Sequence, residues 1–289
     1  MSFKNIYFLM LSFLMITVSM QSQEYQPTKK ILYKVVDSDS LYLHVFEPET
    51  IQKPTAAIVF FFGGGWTGGN PKQFYQQSKY LASRGMLAIS AEYRVKNVHG
   101  TTPFDAVEDA KSAIRKVREF APFLEIDPNK VVAAGGSAGG HLAICTALIE
   151  ELDNPDENLK ISSIPNAVIG YNPVFDTTEN GYGAKKVAGR ETEISPCHQV
   201  KENLPPMLLF HGKADKTVPF ENAKRFNKLM QKAKNDSKLF AYKDQGHGFF
   251  NGSFFRKKSD DTFFNETMYQ TDLFLIKLGY LSSEPTIAN

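Results

Sequence analysis

Gly135-Gly136-Ser137-Ala138-Gly139 sets a serine between glycines placed two residues before and two residues after it. A hydroxyl becomes a useful nucleophile when it projects from a sharp turn with a strand and a helix packed close on either side. The flanking glycines remove the side chains that would collide there. A helix starting at 138 would also place Ser137 at the positive end of a helix dipole, which favours developing negative charge. Such a serine needs a general base, an acid to orient the base, and backbone N–H donors for an oxyanion.

The chain offers candidates for each. Upstream, Gly63-Gly64-Gly65-Trp66-Thr67-Gly68-Gly69 concentrates glycines where the backbone could approach a substrate and turn N–H groups inward, and the N–H of Ala138 is a second source of donors. Downstream lie His141, His198, His211 and His247. His141 is one turn along the same helix as Ser137, His211 ends a strand and reads as structural, and His198 sits in a stretch without pattern. His247, in Gln245-Gly246-His247-Gly248-Phe249 straight after the last strand, is the expected base. Asp215, in His211-Gly212-Lys213-Ala214-Asp215, emerges after a buried-looking strand and is the expected acid, ahead of Asp244 and Asp176. The carboxylates Asp105, Glu108 and Asp109 share a helix without a histidine partner and read as a solvated face, so no metal is assigned. No cofactor is called for.

These residues need a scaffold, and the apolar periodicity supplies one. Strand-like runs fall at 31–36, 41–46, 56–62, 86–90, 131–135, 167–171, 207–211 and 238–242. The runs at 56–62 and 131–135 are continuously apolar or small, as strands covered on both faces are. Helical patterns fall at 73–84, 102–119, 138–152, 221–233 and 261–278. This alternation predicts an α/β fold, a mostly parallel eight-stranded sheet with helices on both faces. The tight turn Asp37-Ser38-Asp39-Ser40 predicts an antiparallel start. The stretch 175–206 has no clear period and is a candidate lid.

With those segments in view, the chain resembles the α/β-hydrolases of the esterase/lipase class, near the hormone-sensitive-lipase-like and acetyl-esterase-like families. The matching residues are Phe-Gly-Gly-Gly-Trp at 62–66, Glu92-Tyr93-Arg94, Gly-Gly-Ser-Ala-Gly-Gly-His at 135–141, Gly-Lys-Ala-Asp at 212–215 and Gly-His-Gly-Phe at 246–249. The resemblance implies Ser137, Asp215 and His247 as catalytic residues and Gly64, Gly65 and Ala138 as oxyanion donors. Those families carry a histidine where this chain has Phe62. The implied activity is a serine carboxylesterase working through an acyl-enzyme, with acetyl or feruloyl esters on carbohydrates as expected substrates. The 212–215 and 246–249 segments also resemble prolyl-oligopeptidase-like peptidases, whose propeller domain this length cannot hold. A non-catalytic binding module on the same fold is the third reading, and it would normally have lost one of the three residues.

Bulk properties exclude some classes. The chain has 289 residues, 42% hydrophobic and 22% charged, with a net charge of +2. That balance suits one folded domain and gives no nucleic-acid signature. Only Lys4 is charged before Glu24, and 6–18 is almost continuously apolar. That run is shorter than the roughly 20 residues a membrane span needs, and it has the length of a signal-peptide core. The expectation is a signal peptide at 1–22, a hydrolase domain at 23–289, a secreted or periplasmic location and no stable membrane insertion after cleavage. The substrate is expected to be a small-molecule or oligosaccharide ester. Cys145 reads as a buried free thiol, with a bridge to Cys197 left open.

Overall fold

A computed structural model describes residues 25–49 and 54–287; the expected signal peptide lies outside the described residues. Eight strands form one sheet: β1 (Lys29–Val36), β2 (Asp39–Phe46), β3 (Thr55–Phe61), β4 (Leu87–Ala91), β5 (Ile126–Gly136), β6 (Ala167–Tyr171), β7 (Met207–Gly212) and β8 (Ser237–Tyr242). Their spatial order is β1-β2-β4-β3-β5-β6-β7-β8. β1 pairs antiparallel with β2 and β2 antiparallel with β4, whereas every pair from β4 to β8 is parallel. The antiparallel start follows from the tight turn, where Val36 faces Asp39 across the hairpin and Asp37 takes a φ of 52°.

The helices of nine residues or more are α1 (Tyr75–Ser83), α2 (Pro103–Glu119), α3 (Ala138–Leu148), α4 (Phe220–Lys232) and α5 (Thr262–Lys277). They divide between the two faces of the sheet. Val59 and Phe61 join α2, α3 and α4 through Ala106, Leu142 and Phe226. Ile58 and Phe60 join α1 and α5 through Leu81, Met268 and Leu275. The alternation along β3 is the two-residue period of a strand, and burial of both faces explains its unbroken apolar sequence.

One helix is shorter than its pattern, which extends to residue 152. α3 stops at Leu148 because the next three carbonyls, of Ile149, Glu150 and Glu151, all turn onto the Lys111 ammonium. Helical carbonyls run parallel and cannot converge on one donor. Lys111 is 1% exposed and also pairs with Asp153 at 3.1 Å, so the chain leaves the helix to solvate a buried charge.

β3 lies between β4 and β5, so the connections leaving β3 and β5 run to opposite sides of the sheet. In open α/β sheets the crevice at such a reversal, beyond the carboxyl ends of the strands, is where ligands bind. Phe61 lies level with Gly135 in the ladder, which brings the glycine loop after β3 beside the serine turn after β5.

Candidate active site

Ser137 sits on the turn between β5 and α3 with φ 55° and ψ −120°, a conformation that costs a non-glycine residue about 1–3 kcal/mol. The turn is pinned by its own backbone. The Ser137 N–H donates to the Tyr171 carbonyl at 2.9 Å, and the Ser137 carbonyl accepts from His141 at 3.0 Å and Val174 at 3.3 Å. Gly139 shows why the motif needs glycine, since a Cβ there would lie 2.0 Å from the Phe61 carbonyl oxygen.

The three side chains singled out in sequence converge. His247 Nε2 lies 2.8 Å from Ser137 Oγ, and His247 Nδ1 lies 2.7 Å from Asp215 Oδ2. A carboxylate only accepts, so Nδ1 carries the proton and Nε2 is left to take the serine's. Asp215 Oδ1 accepts the N–H groups of Thr217 at 2.8 Å and Val218 at 2.9 Å. Burial by itself would raise the Asp215 carboxyl, but the His247 hydrogen bond and these backbone donors outweigh it, and the net shift is downward. The Asp215 carboxylate is thus held ionised and anchored from the side away from the imidazole.

The remaining histidines stand elsewhere. His141 is fully buried, its Nε2 donates to the Ile194 carbonyl at 2.7 Å, and burial lowers its pKa to about 4. His198 meets Ser195 Oγ at 2.8 Å. His211 donates to the Val218 carbonyl at 3.1 Å and stands 3.5 Å from Asp215, so it backs the acid, a contact its place at the end of a strand does not announce. Asp176 pairs with Arg225. Asp109, from the acidic helix face, is buried against Lys34 and Arg94 and is not solvated as expected. Cys145 and Cys197 are buried and free.

The glycine loop borders a cleft of about 390 Å³ that Ser137 and His247 also line. Gly64 has φ 136°, and a Cβ on it would lie 2.0 Å from the Gly68 carbonyl oxygen, so no other residue adopts this turn. Among the described residues the N–H groups of Gly64, Gly65 and Ala138 have no protein acceptor. Phe62, at the position of the expected histidine, stacks on Tyr93 at 4.1 Å, and the Tyr93 hydroxyl donates to the Phe62 carbonyl at 2.7 Å.

Several supporting residues escaped the sequence reading. Asn172, at φ 44° after β6, accepts the Gly212 N–H at 3.0 Å and donates to the Gly246 and His247 carbonyls at 3.1 and 2.6 Å. One amide thereby ties the acid loop to the base loop. Tyr182 reaches the cleft from the stretch 175–206, and the Lys186 ammonium bonds both the Gly65 carbonyl at 2.8 Å and the Tyr182 hydroxyl at 3.3 Å. Only three-residue helical turns, Ala184–Lys186 and Pro196–His198, interrupt that stretch. Val187, Ile194 and Cys197 anchor it in the core. An asparagine after a strand was the available signal for Asn172; Tyr182 and Lys186 had none.

A parallel sheet with a strained serine at the β5–α3 turn, a histidine and an aspartate behind it and a glycine loop beside it defines an α/β-hydrolase. The BD-FAE family matches residues 43–193, and the chain belongs to it, within the α/β-hydrolase esterases. The prolyl oligopeptidase family matches residues 166–268. Thermogutta terrifontis esterase 2 in its apo form superposes with a TM-score of 0.84 at 42% identity, over 89% of this chain and 96% of that one. Its propionate-bound structure gives 0.84 at 41%, over 90% and 98%. An acetylxylan esterase of Xylanibacter ruminicola is 29% identical over 86% of this chain and 51% of its own length. The chain spans about half the length of that relative.

Proposed function

We propose that this protein is a serine carboxylesterase acting through an acyl-enzyme. The observation that carries the reading is the continuous hydrogen-bonded line from Ser137 Oγ through His247 to Asp215 at the floor of an open cleft. His247 takes the serine proton as Oγ attacks the ester carbonyl, and the N–H groups of Gly64, Gly65 and Ala138 receive the oxyanion. The imidazolium, stabilised by Asp215, returns the proton to the leaving alcohol. Water then repeats the sequence on the acyl group and frees the serine.

Acetyl or feruloyl esters on carbohydrates are the proposed substrates, and export is the proposed route by which the enzyme meets them. The apolar run at 6–18 supports export. The name of the acetylxylan esterase relative supports an acetylated sugar polymer. Phe255, 45% exposed at the cleft, supplies a ring face suited to stacking on a sugar or an aromatic acyl group. A peptidase reading draws on the prolyl oligopeptidase match at 166–268, which contains Asp215 and His247 but not Ser137.

Ser137→Ala tests the mechanism directly. Hydrolysis of p-nitrophenyl acetate should fall by at least about a thousandfold, because the nucleophile acts as one unit with its base. Residual activity within tenfold of wild type would remove Ser137 from the reaction. A panel of acetylated and feruloylated oligosaccharides beside prolyl peptides, assayed with the wild type, decides between the ester and peptide readings.

A further inference from the structure

We infer that Gln73 and Asn251 form a hydrogen-bonded clamp that holds the oxyanion loop in register with the loop carrying the base. On the ester reading above, they are positioning residues for the hydrolysis. Gln73 lies in the helical turn Pro71–Phe74 that leads into α1, and its Oε1 accepts the Gly63 N–H at 2.6 Å. Its Nε2 donates to Asn251 Oδ1 at 3.0 Å, and Asn251 Nδ2 donates to the Gly248 carbonyl at 3.1 Å. Gly63 directly precedes Gly64 and Gly65, and Gly248 directly follows His247. The clamp therefore joins the residue before the oxyanion donors to the residue after the base, across 178 residues of sequence.

The donor pattern admits one arrangement. A backbone N–H can only donate and a backbone carbonyl can only accept, so the two ends fix the orientation of both amides between them. Turning either amide over sets oxygen against oxygen or N–H against N–H. Gln73 is 9% exposed and Asn251 is 6% exposed. Two buried primary amides cost more than an apolar pair unless their partners are all in place. Cohesion alone is thus a poor account of them, whereas directed bonds to two glycine-bearing turns are a good one.

The loop needs such a hold. Gly64 and Gly65 both have positive φ, at 136° and 61°, in a segment of glycines with little rigidity of its own. Phe62 stacks on Tyr93 and provides no side-chain hydrogen bond. A Cβ built on Gly63 would lie 3.4 Å from Gln73 Oε1 and 3.2 Å from the Ser137 Cβ, so the clamp acts within one residue's width of the nucleophile. The same face of the helical segment reinforces it, since Gln76 accepts the Phe254 N–H at 3.2 Å.

The test uses Gln73→Leu, Asn251→Leu, the double variant, and the near-isosteric Gln73→Glu and Asn251→Asp. With p-nitrophenyl acetate, each leucine variant should lower kcat by about tenfold to a hundredfold with KM within about threefold, as expected for misplaced oxyanion donors. The double variant should lose no more than the worse single, because one broken link opens the whole chain. Gln73→Glu keeps the acceptor for Gly63 but sets oxygen against Asn251, and Asn251→Asp loses the donor to Gly248. Both should lower kcat by a smaller factor, and they carry the test where the leucine variants fail to fold. Hydrogen exchange reads the clamp without substrate, and Asn251→Leu should accelerate exchange of the Gly63 amide. Unchanged exchange there, losses that multiply in the double variant, or kcat within twofold of wild type would each overturn the inference. An inactive wild type with coupled exchange would instead sink the ester reading and leave the clamp standing.

Discussion

Among the described residues, two hydroxyl–imidazole–carboxylate lines stand apart from each other. At the carboxyl ends of β5, β7 and β8 the line runs Ser137–His247–Asp215. Near the antiparallel edge it runs Tyr75–His44–Glu92, with the Tyr75 hydroxyl on His44 Nδ1 and Glu92 Oε1 at 2.9 Å from Nε2. The tautomers are opposite, since the proton faces the carboxylate at Nδ1 in the first and at Nε2 in the second. Their surroundings differ more. The His247 side chain is 26% exposed beside a cleft, whereas that of His44 is 5% exposed under α1. Burial, with Glu92 adding to it, raises the Tyr75 hydroxyl to about 12. That oxygen lies in no strained turn and has no glycine donors facing it. The chemical pattern alone is insufficient; an open cleft, a serine projecting from a strained turn and unfilled backbone donors distinguish the line of the proposed active site from the buried one.

Substitutions in either line separate the two. The largest effect should come from Asp215→Asn, which removes the acceptor for the His247 Nδ1 proton and favours the wrong tautomer. Steady-state hydrolysis of p-nitrophenyl acetate should fall by about 10⁴-fold with the fold intact by circular dichroism. Retention of a tenth of the activity would show that the acid lies elsewhere.

A middle effect is on stability. His141 is held neutral in the fold by burial, with a pKa of about 4 against its usual value of 6.5. As pH falls through 6.5 the unfolded chain takes up a proton that the folded chain refuses until about 4. Stability is full above 6.5 and declines by about 1.4 kcal/mol per pH unit across that window. His141→Asn should be less stable at neutral pH and should lose that share of the slope, as read from urea midpoints at pH 7, 6 and 5. An unchanged slope would remove His141 from the acid sensitivity.

The smallest effect on activity should come from the second line. Tyr75→Phe leaves the cleft intact, so kcat/KM should stay within about twofold, while loss of a buried hydrogen bond lowers stability by about 1–2 kcal/mol. A tenfold loss of activity with unchanged stability would give that line a role in turnover.

The strands and the main helices were legible because each repeats a period that burial enforces. α3 stopped short of its period because a buried lysine from α2 drew off the carbonyls that follow it, and a distant charge leaves no trace in local periodicity. Within the site, Ser137, Asp215 and His247 stood out by type, spacing and chain order. Gln73, Asn172 and Asn251 did not. Asn172 bonds backbone groups on distant loops, and Gln73 and Asn251 meet each other across 178 residues; an amide side chain is compatible with many such partners.

The sequence by itself determined the α/β architecture, the serine turn and the chain order of nucleophile, acid and base, because steric limits and hydrophobic period act within a few residues. Only the tertiary structure decided how closely His247 meets Ser137, what holds Asp215 ionised, and which amides lock the glycine loop to the base loop. Those choices depend on the register of β3 against β5 and of β7 against β8, which sets ångström-scale distances between segments that share no local signal.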